Sequence, residues 1–461
     1  MPQLKPSGPP VNVFGYLREM RRDALSFSLS CAEKYGDVVE ICYGLGVDFL
    51  RRKRGIKSFI LNCPDDVRHV LVTNQHNYRK LPFPPAGQRL FGQGLLTSED
   101  PLHRCQRQVI QPFFHQRQIK SYAKIMVDQT KMLLDSWDDK TSIDVVEEMT
   151  GLTLSIACKS LFDIEIGEKK DRLAKAVQVT QHHTERRFNS FFGFFPFIEV
   201  LPTSANRRFQ KAIKTLDQMI LEIIESQASQ NNNYSTSASL LSMLVHARDE
   251  EGHPMLAKQI RDEALTLFLA GHETTANALS WTFYLLSEHP DVEFHLVKEL
   301  QDVLQGRSPS MADIPKLLYS GQVFSEAMRL YPPAWALGVR TAQNDDQLPS
   351  GTRISALDDV NIFPYVIHRD PRFYPEPTRF DPDRFLPDAK QERPPYSYFP
   401  FGGGARSCIG ESFARMEGTI ILASLVQRFR MKRVSNQAVV PEPLITLRPK
   451  HPILMTISGR S

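Results

Sequence analysis

Apolar residues recur at three- and four-residue steps over much of the chain, a period that predicts helices. It runs through IKSYAKIMVDQTKMLLDSW at 119–137 and FQKAIKTLDQMILEIIES at 209–226. A longer stretch, IRDEALTLFLAGHETTANALSWTFYLLSEH at 260–289, stops at Pro290, which cannot extend a helix. At 1.5 Å per residue it reaches roughly 45 Å. Its middle is apolar on nearly every face, so it should be buried across the width of the protein. SGQVFSEAMRLYPP predicts a helix stopped by Pro332 and Pro333, and ESFARMEGTIILASLVQRF predicts one with a single apolar face. Strand patterns are fewer. GDVVEICYG, SFILNC and ILMTIS are short, rich in β-branched or aromatic residues, and lie towards the two ends of the chain. The polar run SQASQNNNYSTSAS at 226–239 reads as a surface connection between helices. The pattern predicts a mainly α protein with a small β-rich lobe and no βαβ alternation.

Composition narrows the class. The chain has 461 residues, 41% of them hydrophobic, and a net charge of +4. That balance gives no reason to expect nucleic acid or an anionic membrane as a partner. Six scattered cysteines (Cys31, Cys42, Cys63, Cys105, Cys158, Cys408) form no CxxC pair, which excludes zinc-ribbon and thioredoxin-like readings. Few cysteines in a long chain fit a reducing compartment. The first residues contain no apolar signal region, and no apolar run reaches the length of a membrane span. A cytoplasmic protein with no integral membrane segment is expected.

Four short stretches carry candidate chemistry. FPFGGGARSCIG at 399–410 holds one cysteine among glycines, just before a predicted helix. A helix N-terminus and the nearby Arg406 would favour the thiolate of Cys408. The glycines would let backbone approach a flat ligand. A buried core cysteine in a turn is the plain alternative. AGHETT at 270–275 places Glu273 and two threonines inside the long apolar helix, where Thr274 and Thr275 can turn their hydroxyls back onto helix carbonyls. Such a polar notch suggests a small ligand or proton traffic, or else a glutamate paired with a base. HETTA lacks the second histidine of a zinc-protease motif. Glu326 and Arg329 in SEAMRLYPP can pair one helical turn apart. His103 and Arg107 in HRCQR share a helix face and could clamp an anion, or form a solvated cationic face.

Taken together, these stretches resemble the cytochrome P450 haem-thiolate monooxygenases over nearly the whole length. Residues 401–410, FGGGARSCIG, fit that family's FxxGxRxCxG signature. AGHETT fits its oxygen-activation motif, and Glu326-x-x-Arg329 its ExxR motif. Pro382-Asp383-Arg384-Phe385 fits the segment that supplies the third member of a Glu–Arg–Arg network. The resemblance implies the cytochrome P450 fold, a large helical region around haem with a small β-rich lobe, spanning residues 1–461 as one catalytic domain. It implies that Cys408 ligates the iron of haem b. His103, Arg107, Arg340 and Arg406 would hold the haem propionates. Glu273 and Thr274 would form the acid–alcohol pair that delivers protons to the distal oxygen.

The implied reaction inserts one atom of O2 into an apolar small molecule. Electrons would come from NAD(P)H through a separate ferredoxin or flavodoxin and its reductase, since the chain ends about fifty residues past Cys408. Arg104, Lys120 and Arg415 are candidate contacts for that partner. A monomer is expected. The pocket walls implied by family position are Phe83, Leu90, Phe91 and Leu95, then Phe188, Phe191, Phe192, Phe194 and Phe195. Leu267, Ala270 and the segment Ala334, Trp335, Ala336, Leu337 complete them. RLYPPAWALG and YVIHRDPR are similar to bacterial, especially cyanobacterial, members acting on fatty acids. The expected substrate is therefore a long-chain fatty acid or alkane-like chain, with a terpenoid or other secondary metabolite as the alternative. Reductant-independent isomerases, dehydratases and peroxygenases usually lack the acid–alcohol pair, which is kept here. A gas-sensing haem protein would not need it. Extra length at 351–365 and around 44–58 is expected to form longer loops in the β-rich part.

Overall fold

A computed structural model describes residues 7–9, 17–41, 57–164, 170–188, 190, 195–229, 239–247 and 255–460. Cys42, the basic run 51–54, most of the polar connection at 226–239, and Phe191, Phe192 and Phe194 lie outside the described residues. Among the described residues, no helix is long and apolar enough to cross a membrane.

The helical periods are realised with small shifts at their ends. The longest helix is Ala257–Glu288. It stops where Pro290 opens the next helix, Pro290–Leu304, at a position that needs no N–H. The other expected helices are Gln116–Asp135, Ser204–Ser229, Leu318–Leu330 and Glu411–Arg428.

Helix Ala257–Glu288 is shared by two hydrophobic cores. Its first half, from Ile260 to Leu269, packs with Leu90, Phe113, Leu161, Leu216 and Leu241. Its second half, from Ala276 to Leu286, packs with Met126, Met149, Val323 and Ile420. Residues 270–275 belong to neither core. Ala270 is exposed although the turns on both sides of it are buried, so the helix borders an internal space there.

Among the described residues the β-rich part is one five-stranded sheet with three small ones. In the large sheet the strands lie in the order Val38–Ile41, Ser58–Leu61, Asp359–Ile362, Arg340–Ala342, Tyr78–Lys80. Within the long segment 351–365, Arg353–Ile354 and Asp359–Ile362 flank a turn, and Ser58 pairs in parallel with Asp359. Leu454–Gly459 lies between Ser142–Asp144 and Phe429–Arg433 in a second sheet. The hairpin Pro441–Pro443 with Leu447–Pro449 reaches back to helix Ala257–Glu288.

Glu326 and Arg329 tie this lobe to the helices. Both are fully buried and joined by two 2.7 Å bonds. Arg329 also donates to the carbonyls of His368 (2.7 Å), Pro377 (2.8 Å) and Arg379 (3.1 Å). All five guanidinium N–H donors are thereby used. Glu326 further accepts from the Asp381 amide at 3.0 Å and faces Arg384 at 3.5 Å. Removing the acid leaves a guanidinium buried without its counter-charge. Glu326→Ala should therefore lower stability by about 3–5 kcal/mol, measured by urea unfolding. A midpoint unchanged from wild type would refute this structural role.

Candidate active site

The cysteine loop leads directly into helix Glu411–Arg428. The Cys408 amide donates to the Phe401 carbonyl at 2.8 Å, closing the turn. Its thiol is exposed, yet protein surrounds it on every side, so it faces the internal space and not the outer surface. Burial pushes the thiol up to about 11, while the Gly410 amide, Arg107 and Arg415 pull it back. This corrects two expectations: the protein alone does not favour the thiolate, and the cations acting on the sulfur do not include Arg406. Two of the glycines make room for protein. A Cβ on Gly403 would lie 2.4 Å from the Tyr396 ring, and one on Gly404 would lie 1.8 Å from the Leu71 carbonyl oxygen. They thereby fix the loop against its own scaffold.

The second candidate segment is the uncovered stretch of helix Ala257–Glu288 at 270–275. The helix is continuous, and its polar side chains turn onto its own ladder as expected. Thr274 Oγ1 donates to the Ala270 carbonyl at 2.8 Å, and Thr275 Oγ1 more weakly to Gly271 at 3.4 Å. Thr153, on helix Val145–Phe162, donates to the His272 carbonyl at 3.0 Å. Among the described residues Glu273 forms no ion pair with a base. It accepts from Thr446 Oγ1 at 2.7 Å and Gln181 Nε2 at 2.6 Å. Burial raises its pKa, opposed by the Thr446 bond and by Arg448. Glu273 thus joins three elements: the central helix, helix Lys170–Phe188, and the turn of the C-terminal hairpin.

A cationic rim closes one side. Arg406, Lys80 and Arg107 act on His103, and Arg340 lies beside Lys80 and Arg406; among the described residues Glu99 and Asp100 oppose them. Arg406 donates to the Ser98 carbonyl at 2.6 Å and pairs with Glu99 at 3.2 Å. Arg340 is buried, its Nε has no hydrogen-bond partner, and burial with Arg406 beside it lowers its pKa to about 10. Buried polar atoms are rarely left unpaired. Four cations facing two carboxylates, one of those cations with an orphaned donor, fit a ligand bringing two more carboxylates. His103 and Arg107 have different surroundings. Burial and the neighbouring cations hold His103 down at about 4, so it is neutral. Arg107 is turned to the Ser407 carbonyl at 2.8 Å, beside the cysteine.

Comparison with known proteins decides the family. The cytochrome P450 family model matches residues 6–456. The chain belongs to the cytochrome P450 family. It is 37% identical to cyclooctatin synthase of Streptomyces melanosporofaciens over 450 residues, which covers 96% of this chain and 93% of that one. It is 30% identical to pentalenene oxygenase of Streptomyces avermitilis over 454 residues, 98% and 96% of the two chains. The crystal structure of the cytochrome P450DA heme domain superposes with a TM-score of 0.86 at 25% identity, covering 99% of this chain and 98% of that one. The protein is a cytochrome P450 monooxygenase. Membership implies a haem, the use of O2, and electrons from a redox partner.

In this P450 several expected pocket walls have other neighbours. Trp335 stacks on Phe363 in a separate core, and its indole donates to the Leu444 carbonyl at 2.8 Å. Leu337 packs against the β-sheet core. Leu90, Phe91, Leu95 and Leu267 are buried in the core beside residues 260–269. Phe195 is exposed and packs on Phe197, and the Phe188 side chain lies outside the described residues. Arg415 is bound to Glu411 at 2.9 Å and lies over the Phe401 ring, whereas Arg104 and Lys120 are exposed. Gln181, Thr446 and Lys80 escaped the sequence reading. Gln181 and Thr446 lie 92 and 173 residues from Glu273, and no motif marks them.

Gly404 provides a test of the loop. Its φ is +67°, so a side chain there costs about 1–2 kcal/mol before any clash. Gly404→Ala adds a Cβ against backbone and should lower the melting temperature clearly. Gly410→Ala, whose Cβ meets Phe114 at 3.7 Å and the Cys408 sulfur at 3.9 Å, should change it little. Equal melting temperatures for Gly404→Ala and wild type would refute the packing role.

Proposed function

We propose that this P450 hydroxylates a terpenoid, using haem b ligated by Cys408. The observation that carries the substrate class is the set of relatives. Over nearly the full length the chain is similar to cyclooctatin synthase and pentalenene oxygenase, and it is 32% identical to cyclooctat-9-en-7-ol 5-monooxygenase of Streptomyces melanosporofaciens over 426 residues. The fatty-acid reading ranks second, because none of these three names supports it.

The site residues support the haem reading. Among the described residues no cluster of three or more histidine, cysteine or acidic side chains could hold a metal. A single thiol facing an enclosed space suits iron whose other ligands belong to a macrocycle. The cationic rim suits two propionates. When bound, such a haem supplies O2 activation, which a thiolate ligand favours by donating electron density.

The chain's own task is to shape the space and move protons. Thr274 presents a hydroxyl whose lone pairs remain free while its proton goes to Ala270. Glu273 sits one residue away, and its raised pKa lets it carry a proton into a dry site. Gln181 and Thr446 hold its carboxylate in place. Electrons come from NAD(P)H through a ferredoxin or flavodoxin, with Arg104 and Lys120 as exposed cations for the encounter.

Two measurements test this reading. Titrating the protein with a terpene and fatty-acid library should give haem spectral shifts with polycyclic terpenoids and weaker ones with fatty acids. The reverse order would overturn the substrate assignment. Thr274→Ala should keep substrate binding while lowering product formed per NAD(P)H consumed, with peroxide rising; general acid–base contributions are typically about 10²–10⁴-fold. A ratio equal to wild type would remove Thr274 from proton delivery.

A further inference from the structure

Three consecutive charged residues near the start of the central helix, Arg261, Asp262 and Glu263, bind the chain that leaves helix Pro85–Phe91. Arg261 donates to the Leu90 carbonyl at 3.0 Å and is held by Asp217 at 2.7 Å and Asp262 at 2.8 Å. Asp262 accepts from the Gln93 amide at 3.0 Å, and Glu263 Oε2 accepts from the Leu95 amide at 2.9 Å. Two glycines bring this chain close to the helix. A Cβ on Gly92 would lie 2.0 Å from the Asp262 carboxylate, and one on Gly94 would lie 2.2 Å from Thr266 Oγ1. At the far end of the segment the Ser98 carbonyl accepts from Arg406. Segment 92–98 thus links the central helix to the cysteine loop.

The two acids of this clamp are held differently. The Asp262 carboxylate takes both Arg261 and the Gln93 amide. Glu263 is fully buried, accepts one amide, and its Oε1 has no hydrogen-bond partner among the described residues. A buried carboxylate needs a counter-charge or several donors to stay ionised. Among the described residues no cation pairs with Glu263. Asp262 beside it opposes a second negative charge, and Arg261 is taken up by Asp217 and Asp262. Charged groups on the helices packed here are directed elsewhere. Lys159 pairs with Asp163 at 2.9 Å, His246 Nδ1 donates to the Ser242 carbonyl at 2.7 Å, and Arg89 is exposed.

We propose that Glu263 is a positioning residue, a proton-linked latch that holds segment 92–98 on the central helix while its carboxyl is neutral and lets the segment lift when it ionises. A neutral carboxyl still offers its carbonyl oxygen to the Leu95 amide. Burial raises the acid to about 7 against the pull of the Leu95 bond, and Asp262 adds to the rise. With the segment lifted, water returns the carboxyl towards its ordinary 4.5. Lifting therefore releases a proton. The latch holds fully below the lower value, weakens as pH rises between the two, and changes no further above about 7. Ionisation thus loosens the connection between the central helix and the cysteine loop, the two segments that carry the candidate chemistry.

Hydrogen exchange at the Leu95 amide of the intact protein tests the latch, with rates corrected for intrinsic chemical exchange. Wild-type protection at Leu95 should be about tenfold or more higher at about pH 5 than at about pH 8. The Cys408 amide, bonded to a backbone carbonyl, should show no such change. Glu263→Gln keeps an acceptor for Leu95 and never ionises, so its protection should be the same at both pH values. Wild-type protection that does not change with pH would overturn the latch, and that series stands even where the variant fails to fold. Equal pH dependence in wild type and Glu263→Gln would assign the proton to another group and overturn the role of Glu263. A loss of protection at Cys408 in step with Leu95 would mean global opening, and would overturn a local latch.

Discussion

A helix shared by two cores must cross the gap between them, and in this protein the gap falls at residues 270–275. On either side apolar side chains anchor the helix, the first half against Leu161 and Leu241, the second against Val323 and Ile420. Between the anchors no apolar partner is required, so polar side chains cost little there. Thr274, Thr275 and Glu273 occupy that stretch and satisfy themselves on helix carbonyls, Thr446 and Gln181. The helix stays continuous because both ends are held, while its centre is free to present chemistry. The cysteine loop is braced by close packing of Gly403 on Tyr396 and Gly404 on Leu71.

Charge completes the arrangement. The protein surrounds the space with cations from four distant segments: Lys80, Arg107, Arg340 and Arg406. Burial, and after it the charge of Arg406, lowers the pKa values of Lys80 and Arg340. Such an imbalance is tolerated because the rest of the lobe is pinned elsewhere. The buried Glu326–Arg329 pair uses every guanidinium donor to clamp the segment from His368 to Asp381. One fully satisfied ion pair supports the scaffold, while in the cationic cluster Arg340 Nε has no hydrogen-bond partner among the described residues.

Much of this was legible in the chain. The helical period and Pro290 located the central helix to within three residues at each end, and the four motifs identified the family before any geometry. Local pattern could not reveal partners far apart in sequence. It marked Glu273 but not Gln181 or Thr446, and it marked Arg340 but not Lys80, across the ladder from it. It also misread residues whose surroundings decide their role. Trp335 looked like a pocket wall and packs on Phe363. Pattern could not show that burial and neighbouring cations lower the pKa of His103. Pattern also gave no sign that Gly403 and Gly404 make room for Tyr396 and the Leu71 carbonyl.

The central claim is that the space between the two cores holds haem through Cys408. The absorption spectrum of the reduced, carbon monoxide-bound protein tests it most directly. Wild type should show the red-shifted band of thiolate ligation, and Cys408→His should lose that band together with turnover, because imidazole donates less charge to iron. Replacing Cys105 or Cys158 should leave the band in place. Retention of the thiolate band and full turnover by Cys408→His would contradict the account.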